Sequence, residues 1–223
     1  MHIPDGFVSG PINIATYLVS IAVCGLAVVR ANKTMGERQV PLLGVTAAFI
    51  FAAQMLQFPV AGGTSGHFLG AILAAVLLGP LNACLIMALV LAIQCLGFAD
   101  GGLTALGTNI FNMGIIGGIV CYWLFRALKF ILPKTRVGFL ASVAIAAWSS
   151  VVLASAVCAL ELAISGTSPL KIALPAMAGI HALIGLGEAI ITVVVLNVVL
   201  ASRPDLVATW SLGKNKPKVA VEV

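Results

Sequence analysis

The first seven residues, Met1-His2-Ile3-Pro4-Asp5-Gly6-Phe7, place three transition-metal donors in covalent sequence. An initiator methionine followed by a residue as large as histidine is retained, so Met1 is expected to keep a free α-amine. The amine, the backbone nitrogen of His2 and Nδ1 of the His2 ring then close a five-membered and a six-membered chelate ring on one cation. A deprotonated amide nitrogen is a strong in-plane donor, which suits Ni(II), Cu(II) or low-spin Co(II) better than tetrahedral Zn(II). A planar site with three donors lacks a fourth. The rest of the chain must bring it to the N-terminus.

The elements that could do so are membrane helices. The 223 residues are 61% hydrophobic and 9% charged, with a mean hydropathy of +1.15. Soluble domains carry about 25% charged residues, so this composition is that of an integral, multi-pass membrane protein. The alternating apolar–polar segments of a transmembrane barrel are absent, which predicts an all-α fold. Gly and Pro inside apolar runs fit membrane helices, where neighbours satisfy freed backbone groups. No Lys or Arg precedes the first apolar run, so the opening does not read as a secretory leader. A single transmembrane domain is expected over 1–202, followed by a polar cytoplasmic tail over 203–223. Cys24, Cys84, Cys95, Cys121 and Cys158 all fall in apolar runs without a CxxC spacing and read as packed thiols.

Apolar runs at 12–29, 41–58, 109–125, 137–164 and 173–201 each suffice for a span, and 68–98 is too long for one. Gly79-Pro80 divides it, leaving a first piece that is either a squat spanning helix or a re-entrant arm. Basic clusters at 30–38, 126–136 and 203–218 hold 11 of the 12 Lys and Arg residues. Placing all three clusters on the cytoplasmic side requires an even number of crossings between them. With 68–98 split, seven spans result, the N-terminus outside and the C-terminus inside. A re-entrant hairpin there gives five spans with the same sidedness.

This parity puts Met1, His2 and the small-residue loop at 62–67 on the outer face. His67 becomes the available fourth donor, in a loop expected to be flexible enough to reach the N-terminus. Taken by itself, His67 reads first as a loop histidine hydrogen-bonded to backbone, and the Met-His terminus on the same side turns the reading toward a ligand. Ser65 in the same loop, and His181 and Glu188 on the last span, are candidates for supporting the ligands. His181 and Glu188 are seven apart on one helical face, and their other reading is a buried polar pair bracing the bundle. Asp100, Asn109 and Asn112 read as turn and cap residues, and Glu161 as interfacial. Small-residue pairs at Ala48/Ala52, Ala71/Ala75 and Gly114/Gly118 allow close helix approach, with Ala48/Ala52 a candidate docking face.

Four stretches, MHIPDGF at 1–7, GGTSGHFLG at 62–70, ADGGLTALGTNIFNMG at 99–114 and GIHALIGLGEAIIT at 179–192, resemble the CbiM/NikM family. These proteins are substrate-binding S components of cobalt and nickel energy-coupling-factor transporters. The resemblance extends to about Leu200, and the position of MHIPDG at residue 1 is part of the motif. It implies seven spans and one Ni(II) or Co(II) held by the Met1 amine, the His2 amide nitrogen and the His2 and His67 imidazoles. It also implies a complex with a transmembrane coupling protein, two cytoplasmic ATPases and a small accessory membrane subunit. Some relatives carry the accessory part fused at the C-terminus; the polar tail here predicts a separate polypeptide.

The leading expectation is the metal-binding subunit of an ATP-driven importer in the cell membrane. The alternative is a self-sufficient secondary permease, which needs intramembrane carboxylates and finds only Glu188 well placed. An intramembrane enzyme using His181 and Glu188 lacks a nucleophile, for no GxSxG or HExxH occurs. No GxxxxGK[ST] occurs either, so nucleotide hydrolysis falls to partners. The donor set does not separate nickel from cobalt.

Overall fold

The computed structural model describes residues 1–37 and 39–210. It is mostly helical. Helix α1 (Gly10–Thr34) is followed by α2 (Gln39–Gln54) and a two-stranded antiparallel hairpin, β1 (Gln57–Pro59) and β2 (Ser65–His67). Helices α3 (Ala71–Leu78) and α4 (Pro80–Phe98) come next. A continuous helix over Leu106–Ile131 follows, comprising α5 (Leu106–Ile110), a π-helical stretch Phe111–Val120 and α6 (Cys121–Ile131). The long helices α7 (Arg136–Ile164) and α8 (Leu170–Ser202) pack against each other, and a 3₁₀ turn over Pro204–Leu206 closes the described chain.

Five of these helices are long and apolar enough to cross a membrane: Gly10–Thr34, Pro80–Phe98, Leu106–Ile131, Arg136–Ile164 and Leu170–Ser202. Their outward faces are apolar, as at Leu18 (65% exposed) and Leu183 (71% exposed), which is how a bundle meets lipid. The expected break at Gly79-Pro80 is present. Gly79 sits at φ +90°, a conformation open to glycine, and Pro80 starts α4 with its φ already set.

The run at 41–58 is not helical throughout. Helix α2 ends at Gln54, and Gln57 pairs across the hairpin with His67. Pro59 explains this, because the residue before a proline is pushed out of the α region and Phe58 becomes extended. The stretch expected as a flexible loop is thus largely fixed in a hairpin. It lies against α8 at van der Waals distance: a Cβ at Gly63 would overlap Met177, and one at Gly66 would crowd Ile184.

Successive residues from the hairpin onward meet successive levels of α8. Gly62 abuts Ile172, Gly63 Met177, Gly66 Ile184, and the Leu69 and Gly70 amides reach Glu188. At the far end the Ala208 N–H donates to Leu77 O (3.0 Å) and Thr209 Oγ1 to Val76 O (2.9 Å). Residues 62–77 therefore run beside α8 in the same direction. Only the second half of this path is helix, since α3 has eight residues and is about 12 Å long. All eight are buried, and non-helical backbone at that depth is tolerated because protein surrounds it. The last carbonyls of α3 are all engaged: Ala75 O by Gly79 N–H, Val76 O and Leu77 O as above, and Leu78 O by Asn82 Nδ2 (2.8 Å). Residues 204–210 thus fold back onto the bundle, whereas Lys214, Lys216 and Lys218 of the expected tail lie outside the described residues.

Candidate metal centre

The N-terminal segment is threaded into the bundle. Met1 and Ile3 are fully buried and His2 nearly so. The segment is held by hydrogen bonds rather than by secondary structure. Ile3 N–H donates to Asn109 Oδ1 (2.9 Å), while Ile3 O accepts from Asn109 Nδ2 (3.2 Å) and from Gly102 N–H (2.8 Å). Asp5 Oδ1 accepts from the Thr104 N–H (2.7 Å) and hydroxyl (2.6 Å), and these two bonds hold its carboxyl below the usual range. Asn109 is therefore the clamp on the N-terminal strand rather than a turn or cap residue. Its burial inside α5, with both amide atoms bonded to the backbone of Ile3, could not be read from its position near a turn.

The clamp brings the expected donors together. The Met1 amine donates to the Ser65 carbonyl and to Ser65 Oγ (3.0 Å), and the His2 N–H points at the same hydroxyl (3.3 Å). His2 Nε2 bonds Gln94 Oε1 (3.1 Å), so it carries the ring proton and leaves Nδ1 with its lone pair. Nδ1 has no hydrogen-bond partner, although Asp100 Oδ1 lies 3.2 Å away and out of line. His67 donates from Nδ1 to Phe68 O (2.7 Å), leaving buried Nε2 likewise unpartnered. The two rings stack, centroids 4.4 Å apart and 19° between planes. Burial lowers the Met1 amine from 8.0 to about 5 and the His2 imidazole to about 3, so both are unprotonated at neutral pH. Among the described residues no three His, Cys, Asp or Glu side chains converge on one point. A metal centre at this place would need main-chain nitrogen as well as side chains.

The supporting residues divide. Ser65 touches both N-terminal nitrogens. Glu188 does not pair with His181: its carboxylate accepts from the Leu69 N–H (2.7 Å) and the Gly70 N–H (2.8 Å), fixing the turn directly after His67. Gln54 Nε2 holds the same turn from α2 by donating to Leu69 O (2.8 Å). His181 bonds its own helix through Nδ1 to Met177 O (2.7 Å), and its Nε2 is buried without a partner. Glu161, expected at the interface, is buried and accepts from Asn112 Nδ2, so Asn112 is not a cap either. Five cysteines are free thiols, three of them buried.

Asp100 lies in the loop after α4, as a turn residue should, but its side chain does more than the sequence reading gave it. It follows Ala99, which among the described residues is the one non-glycine at positive φ (+53°). That conformation costs on the order of 1 kcal/mol for a residue with a Cβ. Asp100 N–H donates to Gln94 O (3.0 Å), and Gln57 Nε2 donates to Asp100 Oδ2. The side chain is thereby turned inward onto His2, and its partial burial raises the carboxyl above its usual range. An open cleft of about 840 Å³ leads from the surface past Gln57 and Asp100 to His2.

The family model described as a cobalt uptake substrate-specific transmembrane region, CbiM, matches residues 2–206. A protein of Archaeoglobus fulgidus named as a fused nickel transport protein, NikMN, is 45% identical over 209 residues, which cover 93% of this chain and 68% of that protein. The fused nickel transport protein NikMN of Rhodobacter capsulatus is 31% identical over 93% of this chain and 64% of its own length. The crystal structure of a truncated transition metal transporter superposes with a TM-score of 0.84 at 33% identity, covering 90% of this chain and 99% of that one. The family model runs from His2 through the hairpin and α8: the chain belongs to the CbiM family of cobalt uptake substrate-specific transmembrane regions.

Proposed function

We propose that the chain is the substrate-binding membrane subunit of an ATP-driven importer, capturing Ni(II) or Co(II) at the outer face of the cell membrane. The transported ion is held by the Met1 amine, the His2 amide nitrogen, His2 Nδ1 and His67 Nε2. The observation that carries this reading is the pair of buried imidazole nitrogens without partners, beside an amine and an amide that share one hydroxyl. Nitrogen donors in one plane suit both metals. The names of the relatives, nickel transport proteins, support the same cargo.

The chain crosses the membrane seven times, N-terminus outside. In support, residues 62–77 run in the direction of α8 and so act as a crossing of their own, with α2 as another. Energy comes from partners: a transmembrane coupling protein, two cytoplasmic ATPases and a small accessory membrane subunit. A secondary permease is disfavoured because both oxygens of Glu188 are occupied by backbone amides.

The test is a Ni(II) and Co(II) titration of purified protein beginning at Met1, compared with protein extended at its N-terminus. Extension removes the α-amine while keeping every side chain, and tight one-to-one binding should disappear. If the extended protein binds as tightly, the proposal fails.

A further inference from the structure

Asp100 stands where an arriving cation first meets the site. Its carboxylate oxygen is 3.2 Å from His2 Nδ1, yet no hydrogen bond joins them. A carboxylate oxygen and an unpartnered imidazole nitrogen held this close without a hydrogen bond make a contact that a cation bound to both would relieve. Ala99 ends α4 as a left-handed cap, and this helix stop sets Asp100 beside His2. Gln57 orients the second carboxylate oxygen from the hairpin. The cleft lined by Gln57, Asp100 and His2 opens to the surface, whereas Met1, Ile3 and His67 are fully buried behind it.

We infer that Asp100 is a loading ligand: a hydrated divalent cation binds its carboxylate at the mouth of the cleft and is handed to His2 Nδ1. This rests on the proposed N-terminal metal site and adds to it a residue outside the final donor set. An aspartate is suited to the step, because a carboxylate binds a hydrated cation quickly and releases it to nitrogen donors, which hold Ni(II) and Co(II) more firmly. The partial exposure of the side chain keeps it within reach of solvent.

The experiment is stopped-flow binding of Ni(II) alone to the full chain in lipid nanodiscs, starting at Met1, at low and high ionic strength. Asp100→Asn should slow association about tenfold or more at low salt, flatten its salt dependence and leave dissociation within about twofold, because a guiding charge acts on the on-rate. Asp100→Glu should recover most of the on-rate. An unchanged on-rate, or a loss carried entirely by faster dissociation, overturns the inference. If Asp100→Asn does not fold, Gln57→Met decides: freeing the carboxylate from its orienting amide should slow association several-fold, and an unchanged rate is again a refutation. The two readings fail separately. Binding that survives blockage of the α-amine defeats the metal site itself, whereas amine-dependent binding with an unaltered Asp100→Asn on-rate defeats the loading role only.

Discussion

The rings of His2 and His67 lie nearly parallel, centroids 4.4 Å apart. An imidazole donates in its own plane, so two stacked rings cannot direct their lone pairs at one cation. Binding of a metal at the proposed site would require at least one ring to turn. Each ring is anchored through its protonated nitrogen, His2 by Gln94 and His67 by the Phe68 carbonyl, so each anchor also fixes which nitrogen keeps a free lone pair.

His67→Ala should keep the two-ring chelate of residues 1 and 2 and lose one in-plane donor. Changes to groups that merely orient a ligand typically cost 10–100-fold in affinity, and removing the ligand should cost at least as much. Nickel titration with ligand-field absorption reads both affinity and geometry. An unaltered spectrum would place the fourth donor elsewhere.

Asn109→Leu touches no donor. It strips Ile3 of two of its three hydrogen bonds and leaves the Ile3 N–H buried without a partner, a loss of about 1–3 kcal/mol. Because the metal ties down the same segment, affinity should fall about tenfold, which corresponds to roughly 1.4 kcal/mol. Equilibrium titration checks this, and wild-type affinity would show that the clamp is not needed.

Glu188→Gln replaces one of two acceptors for the Leu69 and Gly70 amides with a donor. An unsatisfied buried N–H costs about 1–3 kcal/mol, so thermal unfolding in detergent should begin at lower temperature. The displaced turn carries His67, and nickel affinity should fall with it. Normal stability with normal affinity would contradict the assigned role.

Acidification should weaken binding in a defined order. The Met1 amine, lowered from 8.0 to about 5, and His2, lowered to about 3, have no proton to lose at pH 7. Only the His2 amide must then be deprotonated, so about one proton should leave per metal at neutral pH. Below about pH 5 the amine becomes protonated, and affinity should fall more steeply as pH decreases. Calorimetry in buffers of different ionisation enthalpy counts the protons. Release of two or more at pH 7 would mean that the amine is not buried as described.

The proposed sidedness rests on the basic clusters and is tested by thiol labelling of intact cells. A cysteine at exposed Leu56, beside the hairpin, should react with an impermeant reagent from outside, and one at exposed Thr34 only after permeabilisation. Reversed labelling would put the metal site on the wrong face.

The sequence by itself determined what depends on composition and covalent order. Long uncharged runs can satisfy their backbone only as helices, which fixed the membrane class and most element positions within a few residues. Adjacent amine, amide and imidazole can close a chelate on one cation by covalent order alone, so Met1 and His2 stood out as candidates at once. His67 became a candidate through charge parity, and the structure brings its ring against that of His2. What remained hidden was set by contacts distant in the chain. Asn109 reaches Ile3 across 106 residues, Glu188 reaches Leu69 across 119, and Asp100 faces His2 from a turn held by an alanine at positive φ. Each looks local in sequence, as a turn polar residue or one of a helical pair. Only the packed bundle decides which buried main-chain group each one satisfies, because that choice depends on which helices lie side by side and at what depth.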